Sequence, residues 1–322
     1  MTSAGERARK VARGAPRPVR DALRSARRRY RSARYRIRER FSPTTLTCDD
    51  VAAALRECGL VPGDTCFMQA AMSSFGGFED GPDTVLEALE DVIGPEGTIA
   101  MPAYSLTGPA IEHLASDPLF DPDTTPSRMG AISEGFRLTP GTIRSIHPTH
   151  STCVRSPEAE GIVAGHETAA TPFGEGTPFP RIVARNALQL FFGCGTGAIT
   201  MYHSFECVRV PPFPLDVFAD RRIDARCLER EGNEVTVRTL VHNPALHPGR
   251  IDSNPRLQRI YREAILEAGG RAVNLGHGEI LAVRLPVLFA VFEGLLQKGI
   301  TIYDAETSDN PSTVPPQDRV DA

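Results

Sequence analysis

The chain has 322 residues and a net charge of −4, with 41% hydrophobic residues, no Trp and seven Cys. It contains no run of roughly 20 apolar residues that would span a membrane, and its N-terminus lacks the apolar region of a secretory signal, so we expect a cytoplasmic protein. The odd number of Cys, with no CxxC pair, indicates neither a disulfide framework nor a zinc ribbon, and we expect buried reduced thiols.

Residues 1–42 are predicted to be a basic extension. Residues 1–40 contain 14 Arg and one Lys against three acidic residues, a charge of +12, so the rest of the chain carries −16. Pro16 and Pro18 break an early helix and an Arg-rich helical pattern follows them, which predicts a partly helical or disordered segment. A tether to nucleic acid or to an anionic membrane and a targeting peptide are alternatives that we favour less.

The following segments alternate between helix and strand. Thr47 and Asp50 predict the capped start of a helix. The apolar run at 65–72 predicts a buried strand, and a turn rich in Ser and Gly follows it. Thr84 and the Glu three residues later predict the capped start of an amphipathic helix, after which 94–105 return to a strand. This order predicts a βαβ-like unit and an α/β fold with a mixed sheet flanked by helices.

The second half of the chain continues this pattern less regularly. A strand is predicted at 187–193, irregular or antiparallel structure at 208–250, and helices at 255–268 and 284–298. No internal repeat is visible. The resulting division has three parts, which are the basic extension at 1–42, one domain at 43–305 and a flexible tail at 306–322.

The segment TMYHSFE at 200–206 carries the first candidate site. Thr200, His203 and Glu206 follow one another at a spacing of three, which places them along one side of a helix. A histidine with an ordinary pKa of about 6.5 accepts a proton near neutral pH, and a carboxylate one turn away holds its tautomer. The pattern predicts an oriented general base, although a surface His–Glu pair has the same signature.

The segment RSIHPTHS at 144–151 contains two further histidines. His147 and His150 flank a Pro-Thr pair, and Pro148 favours an extended or turn backbone at His147. The HxxH spacing, together with the HxxE pair, is compatible with the metal site of a hydrolase. We favour that alternative less, because metal-binding pairs of this kind usually lie on helices.

Other local motifs carry weaker signals. A Ser-His-Glu triad with Ser151 or Ser204 is a minor alternative, since no G-x-S-x-G elbow accompanies it. The Ser/Gly turn at 73–77 offers backbone donors to an anion or a carbonyl group. The loop at 121–137 combines acidic residues, Pro and Arg in a way that suits a phosphate or an amine.

Seven blocks together carry a family resemblance. They are MQAAMSSFG (68–76), GPEGTIAMPAYS (94–105), TTPSRMGAISEGFR (124–137), RSIHPTHS (144–151), TPFGEGTPFPRI (171–182), LQLFFGCG (188–195) and TMYHSFE (200–206). In their residues and in their order they resemble the aminoglycoside 3-N-acetyltransferase family over about residues 45–210. The C-terminal third of the chain matches the family loosely. The resemblance implies one α/β domain that transfers the acetyl group of acetyl-CoA to a small-molecule amine, typically on an antibiotic, and hence a role in antibiotic resistance.

The same resemblance implies residue roles. The catalytic residues would be His203 as general base, Glu206 as its orienting carboxylate and Thr200. The coenzyme site would include Ser73, Ser74, Gly76, Arg128, Met129 and Ser151. The acceptor site would include Tyr104, Asp121, His147 and His150. Direct transfer to the amine needs no acyl-enzyme Cys, and we expect no bound metal; backbone N–H groups or a hydroxyl would stabilise the oxyanion.

Several positions depart from the family pattern. Gln69, Ala70 and Ala71 stand where many relatives have His and small hydroxyl residues, and Thr177 stands where Ser is commoner. The segment after Gly195 lacks the Asn or Asp that often precedes the threonine. The sequence therefore leaves the acceptor open, between a resistance target and a biosynthetic amine, and it indicates no oligomeric state. A non-catalytic binding protein tethered by residues 1–42 is the alternative from another class.

Overall fold

The computed structural model describes residues 45–106 and 108–303. The basic extension at 1–42, its tether alternative and the tail at 306–322 lie outside the described residues, so the three-part division stays a prediction. No helix within the described ranges is both long and apolar enough to cross a membrane.

Helices and strands alternate through most of the described chain. The helices are α1 (Cys48–Glu57), α2 (Pro82–Ile93), α3 (Ala110–Leu114), α4 (Ala131–Leu138), α5 (Ala159–Val163), α6 (Pro178–Ala184), α7 (Met201–Val208), α8 (Pro255–Glu267) and α9 (Leu285–Gln297). The strands are β1 (Thr45–Leu46), β2 (Thr65–Ala70), β3 (Gly77–Phe78), β4 (Thr98–Pro102), β5 (Ile143–Arg144), β6 (Thr152–Arg155), β7 (Leu188–Phe192), β8 (Phe218–Leu228), β9 (Glu234–His242), β10 (Arg271–Leu275) and β11 (Gly278–Arg284).

The starts of α1 and α2 show where the capping predictions hold and fail. Thr47 and Asp50 form the predicted reciprocal capping box of α1, with Thr47 Oγ1 accepting from Asp50 N at 3.1 Å and Asp50 Oδ2 accepting from Thr47 N at 2.9 Å. The prediction that Thr84 caps α2 is wrong, because Pro82 already suits the first helical turn. Thr84 Oγ1 instead accepts from Asp80 N at 2.9 Å.

The central sheet has seven strands in the order β10-β11-β7-β2-β4-β6-β5. The three central strands β7, β2 and β4 are parallel, whereas β11 and β6 flank them in antiparallel pairing. The predicted α/β fold with a mixed sheet is therefore confirmed. The three parallel strands end at one edge of the sheet, at Phe192, Ala70 and Pro102, and β6 begins at the same edge with Thr152. Ligand sites in α/β proteins lie at this carboxyl edge.

Two hydrophobic clusters cover the two faces of the sheet. Along β2, Cys66 and Met68 pack into the cluster that includes α1, α2 and α4, while Phe67 packs into the cluster that includes α6, α7, α8 and α9. This alternation follows from the period of two in a strand. Burial of each large apolar side chain contributes about 1.5–3 kcal/mol, so the two clusters hold the carboxyl edge in place.

The hairpin β8–β9 forms a separate two-stranded sheet, which confirms antiparallel structure in the 208–250 segment. Its apolar side chains pack in two small clusters, one with Leu114 of α3 and one with Phe120. The sequence analysis did not predict the β10–β11 pair at the edge of the main sheet. All seven Cys are free, and four of them are buried, namely Cys58, Cys66, Cys153 and Cys227.

Candidate active site

The HxxE pair lies on α7, the helix that follows β7 at the carboxyl edge. His203 Nδ1 and Glu206 Oε2 are 2.8 Å apart, the distance of a strong hydrogen bond. The Glu206 side chain is fully buried, and the His203 side chain is 12% exposed. The pair is thus a buried dyad that presents one edge of the imidazole to the outside, rather than a surface pair.

Burial shifts both members of this dyad away from their charged forms. Removal from water lowers the pKa of His203 to about 3 and raises the pKa of Glu206 to about 8. The charge of Arg250 adds to the first shift and partly counters the second. Below about pH 8 the dyad therefore holds a proton on the acid and is neutral as a unit. When that proton leaves, the carboxylate accepts the Nδ1–H of His203 and the Nε2 lone pair is available as a base.

Thr200 immediately precedes α7 and is held by a buried amide of the sheet. Gln69 Nε2 donates to Thr200 Oγ1 at 2.8 Å, and Gln69 Oε1 accepts from Thr200 N at 3.4 Å. Gln189 Nε2 donates to the same Gln69 oxygen at 3.5 Å. Gln69, one of the departures from the family pattern, therefore fixes the start of α7 to the end of β2.

A cavity of about 620 Å³ opens above the dyad. The predicted residues Tyr104, His150, Thr200 and His203 all line it. The rings of Tyr104 and His150 meet edge to face with centroids 4.8 Å apart, and Phe173 lies 5.2 Å from His203. The structure therefore brings four of the predicted catalytic and acceptor residues to one cavity.

His147 lies behind this cavity rather than in it. Its Nδ1 accepts from the backbone N–H of Thr149 at 3.3 Å and of His150 at 3.1 Å, so its Nε2 carries the proton and donates to Thr239 Oγ1 at 3.0 Å. Its ring also stacks on His166, with centroids 4.5 Å apart. Both nitrogens are used, which makes His147 a support for the loop that presents His150.

Asp121 and Ser151 are placed away from the cavity wall. Asp121 accepts from the backbone N–H of Asp123 at 2.8 Å and from the hydroxyl of Thr124, and thereby closes its own turn. Ser151 is fully buried, donating to Ala103 O at 2.8 Å and accepting from Arg144 Nε at 2.9 Å. Neither position lends support to the predicted contact with acceptor or coenzyme.

The Ser/Gly turn forms part of a second, smaller opening. This cleft of about 420 Å³ is lined by Ala70, Ala71, Met72, Ser73, Gly76, Gly130, Ala131 and Ile132. Ser74 pins the turn to the neighbouring strand end by donating to Gly193 O at 2.7 Å. A side chain at Gly193 would meet Ala71 O at 2.9 Å and the ring of Phe75 at 2.5 Å, so only glycine allows this close approach.

The remaining predicted coenzyme residues adjoin this cleft in the chain. Arg128 and Met129 directly precede Gly130; the Arg128 side chain is exposed and Met129 is half-buried. The Arg128 backbone N–H donates to Tyr104 O at 2.7 Å, which ties this loop to the end of β4. The end of β2 separates cleft and cavity, because its consecutive residues Gln69 and Ala70 point to opposite faces.

Sequence reasoning missed the histidine that lies nearest the dyad. His242 at the end of β9 lines the cavity, and its ring centroid is 4.2 Å from that of His203. Its Nε2 is buried and has no hydrogen-bond partner within the described residues. The segment 242–250, which contains two His and an Arg, offered a signal that was passed over as irregular.

Three possible metal ligands meet at this point. Ligand atoms of His203, Glu206 and His242 all lie within 4.8 Å of one another. This group differs from the combination of HxxH and HxxE considered from the sequence, because His147 is not part of it and has both nitrogens engaged.

Comparisons with known proteins agree with this architecture. The family model described as aminoglycoside 3-N-acetyltransferase matches residues 67–297. Aminoglycoside N(3)-acetyltransferase VII of Streptomyces paromomycinus is 31% identical over 177 residues, which is 50% of this chain and 60% of that protein. The chain thus spans less than two thirds of the length of this relative.

Two solved structures extend the likeness to the fold. The AAC-IIIb binary complex with CoASH superposes with a TM-score of 0.66 at 26% identity, covering 80% of this chain and 98% of the other. AAC-VIa bound to sisomicin superposes with a TM-score of 0.67 at 26% identity, covering 80% and 99%. Because the family model matches well over half of the residues, and the sheet and the ordered motifs agree with it, the chain belongs to the aminoglycoside 3-N-acetyltransferase family.

Proposed function

We propose that this protein transfers the acetyl group of acetyl-CoA to an amine of an aminoglycoside or of a related amino sugar. The observation that carries the proposal is the buried His203–Glu206 dyad, joined at 2.8 Å, that faces a cavity of about 620 Å³ at the carboxyl edge of the sheet. The complexes of relatives with CoASH and with sisomicin support the two substrate classes. An aminoglycoside acceptor would make the reaction a resistance activity.

In the proposed reaction the dyad removes a proton as the new bond forms. The acceptor amine attacks the thioester carbon, and His203 Nε2 takes the proton that the amine loses as the N–C bond forms. The tetrahedral intermediate then collapses, the C–S bond breaks, and the coenzyme leaves as a thiolate that takes up the proton. Glu206 keeps the Nδ1–H of His203 directed inward and stabilises the imidazolium while it exists.

The coenzyme would reach the dyad from the cleft. The cleft walls are small side chains and backbone around Ser73 and Gly130, which suit a narrow chain passing close to the protein backbone. Ala70 and Ala71 lie between this cleft and Gln69, whose amide holds Thr200. A thioester delivered over the end of β2 would therefore arrive beside Thr200 and His203.

The test is thiol release from acetyl-CoA in the presence and absence of an amine. We expect release that requires the amine, a product that gains one acetyl group by mass spectrometry, and a loss of about 10²-fold or more in His203→Ala. Added imidazole should restore part of the lost rate in that variant. His277→Ala, on the turn between β10 and β11, is the matched control. Unchanged turnover in His203→Ala would exclude the dyad as the base.

A second candidate function, metal-dependent hydrolysis, is favoured only by the grouping of His203, Glu206 and His242 within 4.8 Å. It predicts stoichiometric zinc in the purified protein and activity that a chelator removes. Acetyl transfer that survives chelation, from protein without zinc, would exclude it.

A further inference from the structure

The cavity above the dyad is lined by few charged side chains. Among the described residues that line it, Asp252 is the only acidic side chain and Arg250 the only Arg or Lys. These two are paired with each other, Arg250 Nε donating to Asp252 Oδ1 at 3.2 Å. The cavity wall therefore offers no carboxylate that is free of a cation.

Three of the four histidines that line the cavity do not change this balance. Burial and neighbouring positive charge lower the pKa values of His150, His203 and His242 far enough to leave them uncharged at neutral pH. A polycationic amino sugar requires several carboxylates to replace the water around its ammonium groups. The acidic residues that give the chain beyond its basic extension a charge of −16 therefore lie mostly outside this cavity.

Arg250 is the charged group best placed to select a ligand. Its side chain is 29% exposed, and its two Nη groups have no hydrogen-bond partner in the described part of the chain. Its field reaches the centre of the site, because it lowers the pKa of His203 and of Glu206. A planar guanidinium with free donors at this position is the group that proteins use for carboxylates and phosphates.

A second cavity of about 580 Å³ adds positive charge beside the first. It shares Ile111 with the acceptor cavity and is lined by three arginines of the β8–β9 hairpin. Arg238 is paired with Asp224 through two hydrogen bonds of 2.6 and 3.0 Å. Arg221 and Arg222 have no ion-pair partner within the residues described. The hairpin therefore places two arginines that have no ion-pair partner among the described residues beside the cavity, next to Ile111.

We propose that the acceptor is an amino sugar that bears a negatively charged phosphate or carboxylate group, which Arg250 binds while the amine lies at His203. This inference rests on the proposed acetyl transfer and narrows its acceptor. It places polycationic aminoglycosides among the poor substrates, because their additional ammonium groups would face Arg250 and the arginines beyond Ile111.

The test compares acceptors that share one amine and differ in charge. Glucosamine, glucosamine 6-phosphate and glucosaminuronic acid carry the same 2-amine with no anion, a phosphate or a carboxylate, and sisomicin is the polycation. We expect kcat/KM to be about tenfold or more higher for an anionic amino sugar than for glucosamine, with sisomicin below both. The phosphate and carboxylate arms show which anion is preferred.

Variants of Arg250 assign this preference to the residue. Arg250→Gln should raise KM for the anionic acceptor about tenfold and leave KM for acetyl-CoA unchanged, whereas Arg250→Lys should keep most of the preference and Arg250→Glu should improve sisomicin. Arg262→Gln, which removes a surface pair with Glu279, is the matched control. The thermal midpoint of each variant checks that it folds.

Three results would overturn the inference. One is sisomicin as the best acceptor, which would leave the proposed acetyl transfer intact. Another is an anion preference that Arg250→Gln leaves unchanged, and the third is an increase of KM for acetyl-CoA alone in that variant, which would assign Arg250 to the coenzyme. Absence of acetyl transfer to every amine would instead overturn the proposed function itself.

Discussion

The two openings at the carboxyl edge of the sheet are built on different principles. The cavity above the dyad is lined by several imidazole and aromatic side chains. Burial lowers the pKa of one of them, His203, to about 3. The cleft beside the Ser/Gly turn is lined by small side chains and backbone, with no titratable group among its described wall residues. One strand end, at Gln69 and Ala70, lies between the two openings.

The largest effect should come from acid, and it should act through the cavity side alone. Five buried histidines have lowered pKa values, namely His147, His150, His166, His203 and His242. Between their folded pKa and about 6.5 the unfolded chain binds more protons, so stability is present above about pH 6.5 and is lost as the pH falls. Glu206 has a pKa raised to about 8, so between about pH 4.5 and 8 the folded chain binds its proton more tightly than the unfolded chain does. This offsets the destabilising effect of one of the five histidines.

We therefore expect the free energy of unfolding to fall by on the order of 5 kcal/mol per pH unit below pH 6, against a total of about 5–15 kcal/mol. Urea unfolding at several pH values measures this slope. His166→Gln should reduce it, because burial lowers the pKa of His166 to about 4. A stability that is flat from pH 7 to 5 would show that the buried histidines are charged.

The next largest effect concerns the acid of the dyad. Glu206→Gln removes the group whose pKa lies at about 8 but keeps a hydrogen-bonding partner of similar shape. In the parent enzyme kcat/KM should rise with pH as the dyad loses its proton. In the variant kcat should fall on the order of 10²-fold. The rise of kcat/KM with pH that comes from the dyad should be absent from the pH profile of the variant. A profile identical in shape would assign that rise to the substrate amine.

A smaller effect should come from filling the cleft. Ala131→Trp places a large side chain where the cleft is lined by small ones. We expect KM for acetyl-CoA to rise about tenfold while KM for the acceptor and the pH profile stay the same, since no proton-transfer group is touched. Ala268→Trp, at the exposed end of α8, is the control. A change in KM for the acceptor instead would mean that the cleft also contributes to binding of the acceptor.

The smallest effect should come from the boundary between the two openings. Gln69→Leu removes the 2.8 Å hydrogen bond to Thr200 and leaves the start of α7 less firmly held. We expect a loss of about 1–2 kcal/mol in the free energy of unfolding and a several-fold lower kcat. Gln69→Glu, which keeps an oxygen able to accept from Thr200 N, should lose less of the rate. Equal losses in both variants would contradict a positioning role for the amide.

The extent to which the sequence predicted this molecule differs between the same two regions. The three parallel strands of the central sheet, the capping box at Thr47 and the contact between His203 and Glu206 were predictable, because they depend on periodicity or on neighbours within one turn. The placement of His242 was not, since it depends on how the β8–β9 hairpin folds over the edge of the sheet. The burial that shifts the dyad has the same long-range origin.

Two of the predicted site residues have polar atoms that are engaged within the protein. The family resemblance implies an acceptor contact for Asp121, whose carboxylate accepts hydrogen bonds from the turn that contains it. The family resemblance implies a coenzyme contact for Ser151, whose side chain is fully buried and accepts a hydrogen bond from Arg144 Nε. In both cases the polar atom satisfies a backbone or core requirement that a motif does not reveal.

The hairpin of β8 and β9 is a separate sheet that contributes to the wall of the cavity. Its strands share no hydrogen bonds with the main sheet, and most of its apolar side chains pack in two small clusters, whereas Phe218 packs against the larger cluster of the sheet. Yet it carries His242 and the arginines beyond Ile111, whereas the dyad belongs to α7. In the proposed reaction, a change in this hairpin would alter one wall of the cavity and leave the His203–Glu206 pair on α7 in place.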